Sequence, residues 1–212
     1  MPVGLKKKVA EALESGDHEG LFRMWSSDNR VFRTLISMTY DRKSLISWRA
    51  MEAVGVLTGK KSATDSGLVR NITGRLLWMI RDESGGIGWS IPDMLGEMVR
   101  NSPVMLSDIA PIIISFHEED MLLPGVLRAI GRIGESHSEL VPDGIPVLFS
   151  CLESSDPYLC GISVWSLGKL GEAGKNDRIS GLCSDTRRLI LYYDGELHET
   201  TVGEIAKGVS GS

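Results

Sequence analysis

The chain has 212 residues, 42% hydrophobic and 24% charged, which is ordinary for a soluble globular protein and enough for one ample domain or two small ones. A formal net charge of -5 and a pI near 5.4 argue against general nucleic-acid binding, where Lys and Arg must neutralise phosphates. The longest nearly apolar run, IAPIIISF from Ile109 to Phe116, is far below the roughly 20 residues that a membrane span needs.

No basic segment followed by an apolar stretch opens the sequence, so the expected setting is cytoplasmic. The basic run LKKK, Leu5 to Lys8, reads as the solvated face of a first helix. The stretch VAEALESGDHEGLFRMWSSD predicts a helix ending near Gly16 and a second short helix before Asp28. Residues 1–29 are thus expected to cap the apolar end face of the helical segments that begin at residue 30.

From residue 30 to 174 the sequence repeats. WRAMEAVG, WSIPDMLG, PGVLRAIG and GISVWSLG close on Gly55, Gly96, Gly131 and Gly168, at intervals of 41, 35 and 37 residues. Upstream of each phrase lies a further apolar segment, in turn FRTLISMTYD, RLLWMIRD, APIIISFHEED and PVLFSCLESSD. Each unit reads as helix, acidic turn, helix, glycine, with apolar residues at three- and four-residue spacing. Neither helix of a unit can bury its stripe alone, so neighbouring units must stack on one continuous core. The glycines are expected at helix C-termini, where a positive φ closes the last turn. Asp156 followed by Pro157 reads as an N-cap and first helical residue, and Pro124 opens its helix similarly.

Period and phrasing over residues 30–174 resemble HEAT-like repeats, particularly the short variety named after phycobilisome lyases. With DESGGIGW and the tail phrase TVGEIA included, the whole chain is similar to a group of single-domain HEAT-like proteins from anaerobic prokaryotes. The resemblance implies an all-α fold, an α-solenoid of HEAT-like helix pairs in an armadillo-type superhelix, and points to no particular activity, because such repeats serve many unrelated purposes. Past the repeats, RRLILYYDGELHETTV places Asp194-Gly195 between two β-prone runs, the strongest short signal for a β-hairpin. That hairpin is expected to pack one face on the last helix pair, and VGEIAKGV to form a closing helix, giving a C-terminal cap over 175–212.

The stretch DESGGIGWSIPDMLGE, Asp82 to Glu97, departs from its own repeat template. Aligning Gly55 with Gly96 puts Pro92 opposite Met51 in helix interior, where proline costs about 3 kcal/mol, so the helix must start late. Ser90 is the expected N-cap, with Asp93 as the acidic member of an approximate capping box. Glu83, Ser84, Gly85, Gly86, Ile87, Gly88 and Trp89 then form a loop beside a helix N-terminus, bracketed by Trp78 and Trp89. Trp89 occupies the repeat position of Trp48, which points to core packing.

No catalytic constellation can be assembled from spacing: there is no GxSxG, P-loop or Rossmann context, and GGIG lacks both a preceding strand and a following Gly-Lys-Ser/Thr. Deoxyhypusine hydroxylase, a HEAT-repeat enzyme, sets His-Glu pairs at matching repeat positions to hold two irons. Here His18-Glu19, His117-Glu118 and His198-Glu199 fall in the N-terminal cap, a turn and the hairpin, where repeat symmetry does not unite them, and no metal or cofactor is expected. Cys151, Cys160 and Cys183 show no CxxC or Cys/His cluster and read as reduced, mostly buried thiols. DNA-alkylation glycosylases, also HEAT-like, need a basic groove, for which Arg42, Arg49, Arg70, Arg75, Arg81 and Arg100 are the available strip. The expected function is a non-catalytic interaction module or scaffold that binds another protein, with the Asp82 to Trp89 loop and Asp93 contributing. The alternative is an enzyme or ligand carrier with its site at the same loop, using Glu83, Asp93 and His117.

Overall fold

The computed structural model describes residues 3–81, 88–174 and 176–210. Helix α1 (Val3–Glu14) carries Lys6, Lys7 and Lys8 on an exposed face. It stops at Gly16, whose φ of 68° allows Asp17 N–H to donate to Ala12 O at 2.8 Å and Gly16 N–H to Leu13 O. Asp17 then caps α2 (His18–Ser27), accepting from Gly20 N–H at 2.8 Å.

Four helix pairs come next. They are α3 (Arg30–Ser37) with α4 (Leu45–Ser62), α5 (Ser66–Arg81) with α6 (Ile91–Asn101), a third pair opened by the short α7 (Pro103–Leu106), α8 (Ala110–Ser115) with α9 (Leu123–His137), and α10 (Gly144–Cys151) with α11 (Pro157–Lys169). Asp156 caps α11 through Tyr158 N–H, with Pro157 at its first position. Helix α12 (Asp177–Gly181) leads to the antiparallel strands β1 (Arg188–Tyr193) and β2 (Glu196–Thr201), and α13 (Val202–Ser210) is the last helix. Asp194 and Gly195 both have positive φ, 51° and 79°, as a two-residue type I′ turn requires. Thr201 and Glu204 form a reciprocal capping box at the start of α13.

Helices α4, α6, α9, α11 and α13 pack each against the next and make a spine, while α3, α5, α8 and α10 form a second layer against it. Buried side chains from Val9 to Ala206 join in one continuous core. The expectation of stacked helix pairs holds, and so does that of the hairpin. The hairpin also reaches beyond the last helix pair: besides resting Leu189 on α11 at Gly161, it returns to α4, where Arg49 donates to Gly195 O at 3.1 Å and pairs with Glu196 at 2.6 Å.

Three of the repeat glycines are in helix interiors, and Gly168, one residue before the end of α11, lacks the positive φ of a closing residue. Gly55, Gly96, Gly131 and Gly168 all lie within spine helices, and each faces the next helix so closely that a Cβ would collide. A Cβ at Gly55 would lie 2.5 Å from Glu97 Cβ, one at Gly96 2.6 Å from Ala129 Cβ; Gly131 abuts Ser166 and Gly168 abuts Val209. Their regular spacing in the chain marks close helix approach and not termination. The glycine that ends α11 is Gly171, at φ 74°, with Glu172 N–H donating to Leu167 O at 2.9 Å.

Gly96→Ala should therefore cost about 1–3 kcal/mol in urea denaturation, because the obstructing atoms include Ala129 Cα of the neighbouring helix. Gly74→Ala, in the interior of α5 with open space around it, should instead stabilise by up to about 1 kcal/mol.

Candidate functional site

The densest group of ionisable side chains runs along the spine. Arg128 on α9 is 1% exposed, with its guanidinium 3.2 Å from Glu97 Oε1, 3.7 Å from Asp93 Oδ1 and 3.8 Å from Glu52 Oε1. One turn on, Arg132 binds both Glu97 oxygens, at 2.6 and 3.1 Å, and Glu52 at 3.3 Å. Glu135 extends the chain of charges to Arg132 and Arg100, each at 3.3 Å, and to Lys169 at 2.7 Å. The hairpin completes this ladder from above. Tyr192 stacks on Trp48 with centroids 5.4 Å apart at 11°, donates its hydroxyl to Glu52 Oε2 at 2.7 Å, and lies 5.4 Å from Arg128 Cζ. Burial, with Glu52 beside it, pushes the Tyr192 phenol well above its ordinary range, so it acts as a donor.

Burial works against the Glu97 carboxylate, but Arg132 and Arg128 together outweigh it and hold Glu97 below its ordinary value. Asp93 fares differently. It is 1% exposed, neither oxygen has a hydrogen-bond partner among the described residues, and burial pushes it up to about 6 against the pull of Arg128 and Arg42. Tyr158 of α11 lies near enough for Asp93 to add to the burial that raises its phenol. Gly125 on α9 leaves the room Asp93 occupies, since a Cβ there would come within 2.8 Å of Asp93 Oδ2 and 3.2 Å of Trp89 O.

Of the residues singled out by sequence, Glu83, Ser84, Gly85, Gly86 and Ile87 lie outside the described residues. Gly88, Trp89 and Ser90 form a 3-10 turn directly before α6, so the late helix start is observed. The capping box is not. Ser90 makes no side-chain cap and instead meets Thr39 Oγ1 at 3.1 Å in the core, and Asp93 is drawn inward to Arg128. Trp89 is half-buried, with Arg42 Cζ 4.4 Å above its ring, whereas Trp48 is buried and donates Nε1–H to Arg42 O at 2.8 Å.

His117 does not join Asp93. Its Nδ1 lies 3.0 Å from the carbonyl of Ile114 in its own turn, and among the described residues no three His, Cys, Asp or Glu side chains are grouped to hold a metal ion. Cys160 is buried, Cys151 and Cys183 are half-buried, and all three are free. The arginine strip also dissolves. Arg42 covers Trp89, Arg49 holds the hairpin, Arg70 pairs with Asp108 at 2.8 Å and Arg100 with Glu135, while Arg75 stays exposed and the Arg81 side chain lies outside what the structure describes.

Spacing from the closing glycine is the signal that finds the ladder. Three residues before it stand Glu52, Asp93, Arg128 and Trp165; one after it stand Val56, Glu97, Arg132 and Lys169. The charges recur on one helix face at matching positions, which apolar periodicity alone passes over.

A second feature lies on the other layer. Trp78 on α5 is 65% exposed and borders an apolar cleft of about 290 Å³, lined also by Gly74, Leu77, Ile112 and Phe116. Among the described residues no helix is long and apolar enough to cross a membrane.

A spine of stacked helix pairs sharing one core, with a hairpin across it, defines an α-solenoid repeat protein. No family model matches the chain, and no curated protein matches it. Among solved structures it is similar to the archaeal HEAT-like repeats protein of Thermococcus onnurineus NA1, at 16% identity and a TM-score of 0.36, over 97% of this chain and 95% of that one.

Removing Arg128 takes from buried Asp93 its one ion-pair partner among the described residues and leaves Glu97 and Glu52 to Arg132 alone, so Arg128→Met should cost about 3–5 kcal/mol by chemical denaturation. Asp93 binds its proton more tightly when folded than at its ordinary 3.8, so folding takes up protons between about pH 4 and pH 6, and stability falls as pH rises through that window. Glu97, held below its ordinary 4.5, contributes a slope of opposite sign, with stability lost as pH falls below that value. Melting temperatures taken from about pH 4.5 to pH 7 should carry this slope, and Asp93→Asn should flatten it.

Proposed function

We propose that the protein is a non-catalytic HEAT-like interaction module, with a cap over 1–29, four repeats over 30–174 and a C-terminal cap over 175–212. In this reading it acts in the cytoplasm, in keeping with its three free thiols, and binds another protein through the layer that carries α5 and α8. The observation that supports this most is Trp78, a large apolar side chain left 65% exposed at the lip of an apolar cleft. Exposed tryptophans beside such clefts are the usual anchors of protein recognition, because one indole brings a large contact area at little entropic cost. The spine is the less suitable face, since the ladder's charges are paired with one another and the hairpin lies over them. Glu83 to Trp89 come after α5 in the chain and are proposed to contribute to the same contact.

Affinity capture from the host with the wild-type chain and with Trp78→Ala tests the reading. Loss of an anchor of this kind weakens binding roughly 30-fold or more, about 2 kcal/mol. The expected result is one set of captured proteins lost with Trp78→Ala while the melting temperature is unchanged. Identical capture by the two chains would overturn the assignment of this face.

A further inference from the structure

Two charged groups flank the Trp89 carbonyl with hydrogen-bonding capacity unused: Arg42 reaches that oxygen at 3.4 Å, and Asp93 Oδ2 borders the same space over Gly125. Asp93 is 1% exposed and neither of its oxygens accepts a hydrogen bond from a described residue; the Nε–H of Arg42 is likewise buried and donates to none. A carboxylate in that situation has two ways to avoid the cost of an uncompensated buried charge. It keeps its proton, or it recruits a donor.

The groups facing Asp93 decide which donor can respond. Glu97, on its own helix, is an acceptor engaged by Arg132 and Arg128. Arg128, from α9, is 1% exposed, held by Glu97 at 3.2 Å and packed at 5.2 and 5.4 Å from the rings of Trp48 and Tyr192, so it has no freedom to turn. Arg132 and Glu52 are engaged with the ladder's other members. Tyr158, from α11, is a neutral phenol nearby. Arg42, in the turn between α3 and α4, has among the described residues two side-chain holds, its stack on Trp89 at 4.4 Å and a long bond from its terminal nitrogen to Trp89 O at 3.4 Å. A charge-assisted hydrogen bond to a buried carboxylate is stronger than a cation over a half-buried indole. The hydrogen bond wins once the carboxylate is ionised.

We propose that Arg42 is a proton-steered side chain: it covers Trp89 while Asp93 is protonated and turns to pair with Asp93 when the carboxyl group loses its proton to solvent, uncovering the indole. The turn ahead of α6 thereby becomes responsive to pH, with Trp89 as its output. The inference does not depend on docking at Trp78.

The test is a pH titration of tryptophan fluorescence on the full chain, with the Trp89→Phe signal subtracted to isolate one indole. The expected result is a single transition with a midpoint above the ordinary 3.8 and no higher than about pH 6, because pairing with Arg42 favours the ionised carboxyl. Asp93→Asn should remove it and leave the spectrum of the acid form, whereas Arg42→Gln should remove it and leave the spectrum of the alkaline form. Carboxyl carbon NMR of the wild-type protein measures the Asp93 titration directly and needs no variant to fold. A fluorescence transition that persists in Asp93→Asn, or an Asp93 carboxyl that titrates at its ordinary value near 3.8, would overturn the proposal.

Discussion

Spine helices in this protein approach one another most closely at glycines. At Gly55, Gly96, Gly131 and Gly168 there is no room for even a methyl group against the next helix. Close approach at one point on each helix sets what happens beside it, because side chains three residues before and one after the glycine, one turn apart, are then pressed into the same seam. In the first three repeats those positions hold Glu52, Asp93 and Arg128, then Glu97 and Arg132 on the next tier. The repeat register alone brings acids of one helix against bases of another.

A seam of buried charges is a weak source of net stability, since desolvation offsets most of the attraction. Its members are nevertheless hard to replace singly, because each removal leaves another charge buried without a partner. The ladder therefore selects one stacking arrangement over slipped ones, in which like charges would meet. The same seam organises the C-terminus. A two-stranded hairpin is marginal in water, and here it is held through Tyr192 on Trp48 and Glu52 and through Arg49 on Gly195 and Glu196. The first repeat is thus tied to the C-terminal hairpin, which fixes the separation of the solenoid's two ends.

Much of the fold is legible in the residues because it rests on local physics. Asp194-Gly195 demands a type I′ turn, Asp156-Pro157 starts a helix, Pro92 forces α6 to begin at Ile91, and four matching phrases require stacked pairs. The repeat glycines are legible as a feature and misleading as to role. Glycine suits both a helix end and a close crossing, and only the position of the neighbouring helix distinguishes them. Ser90 and Asp93 fit a capping box by spacing, yet Thr39 and Arg128 lie close enough in space to draw both side chains inward. The exposure of Trp78 and burial of Trp48 cannot be told apart from the residues either, since both tryptophans sit on helices that carry apolar and polar faces.

By itself, then, the sequence determined the succession of helix pairs, the late start of α6, the hairpin and its turn, because each depends on contacts between residues within a few positions of one another. Only the tertiary structure decided that Glu52, Glu97, Arg128, Arg132 and Tyr192 form one connected group, that Asp93 is buried with neither oxygen hydrogen-bonded to a described residue, and that the hairpin returns to α4. Those outcomes depend on where helices far apart in the chain come to rest, and chain proximity carries no information about that.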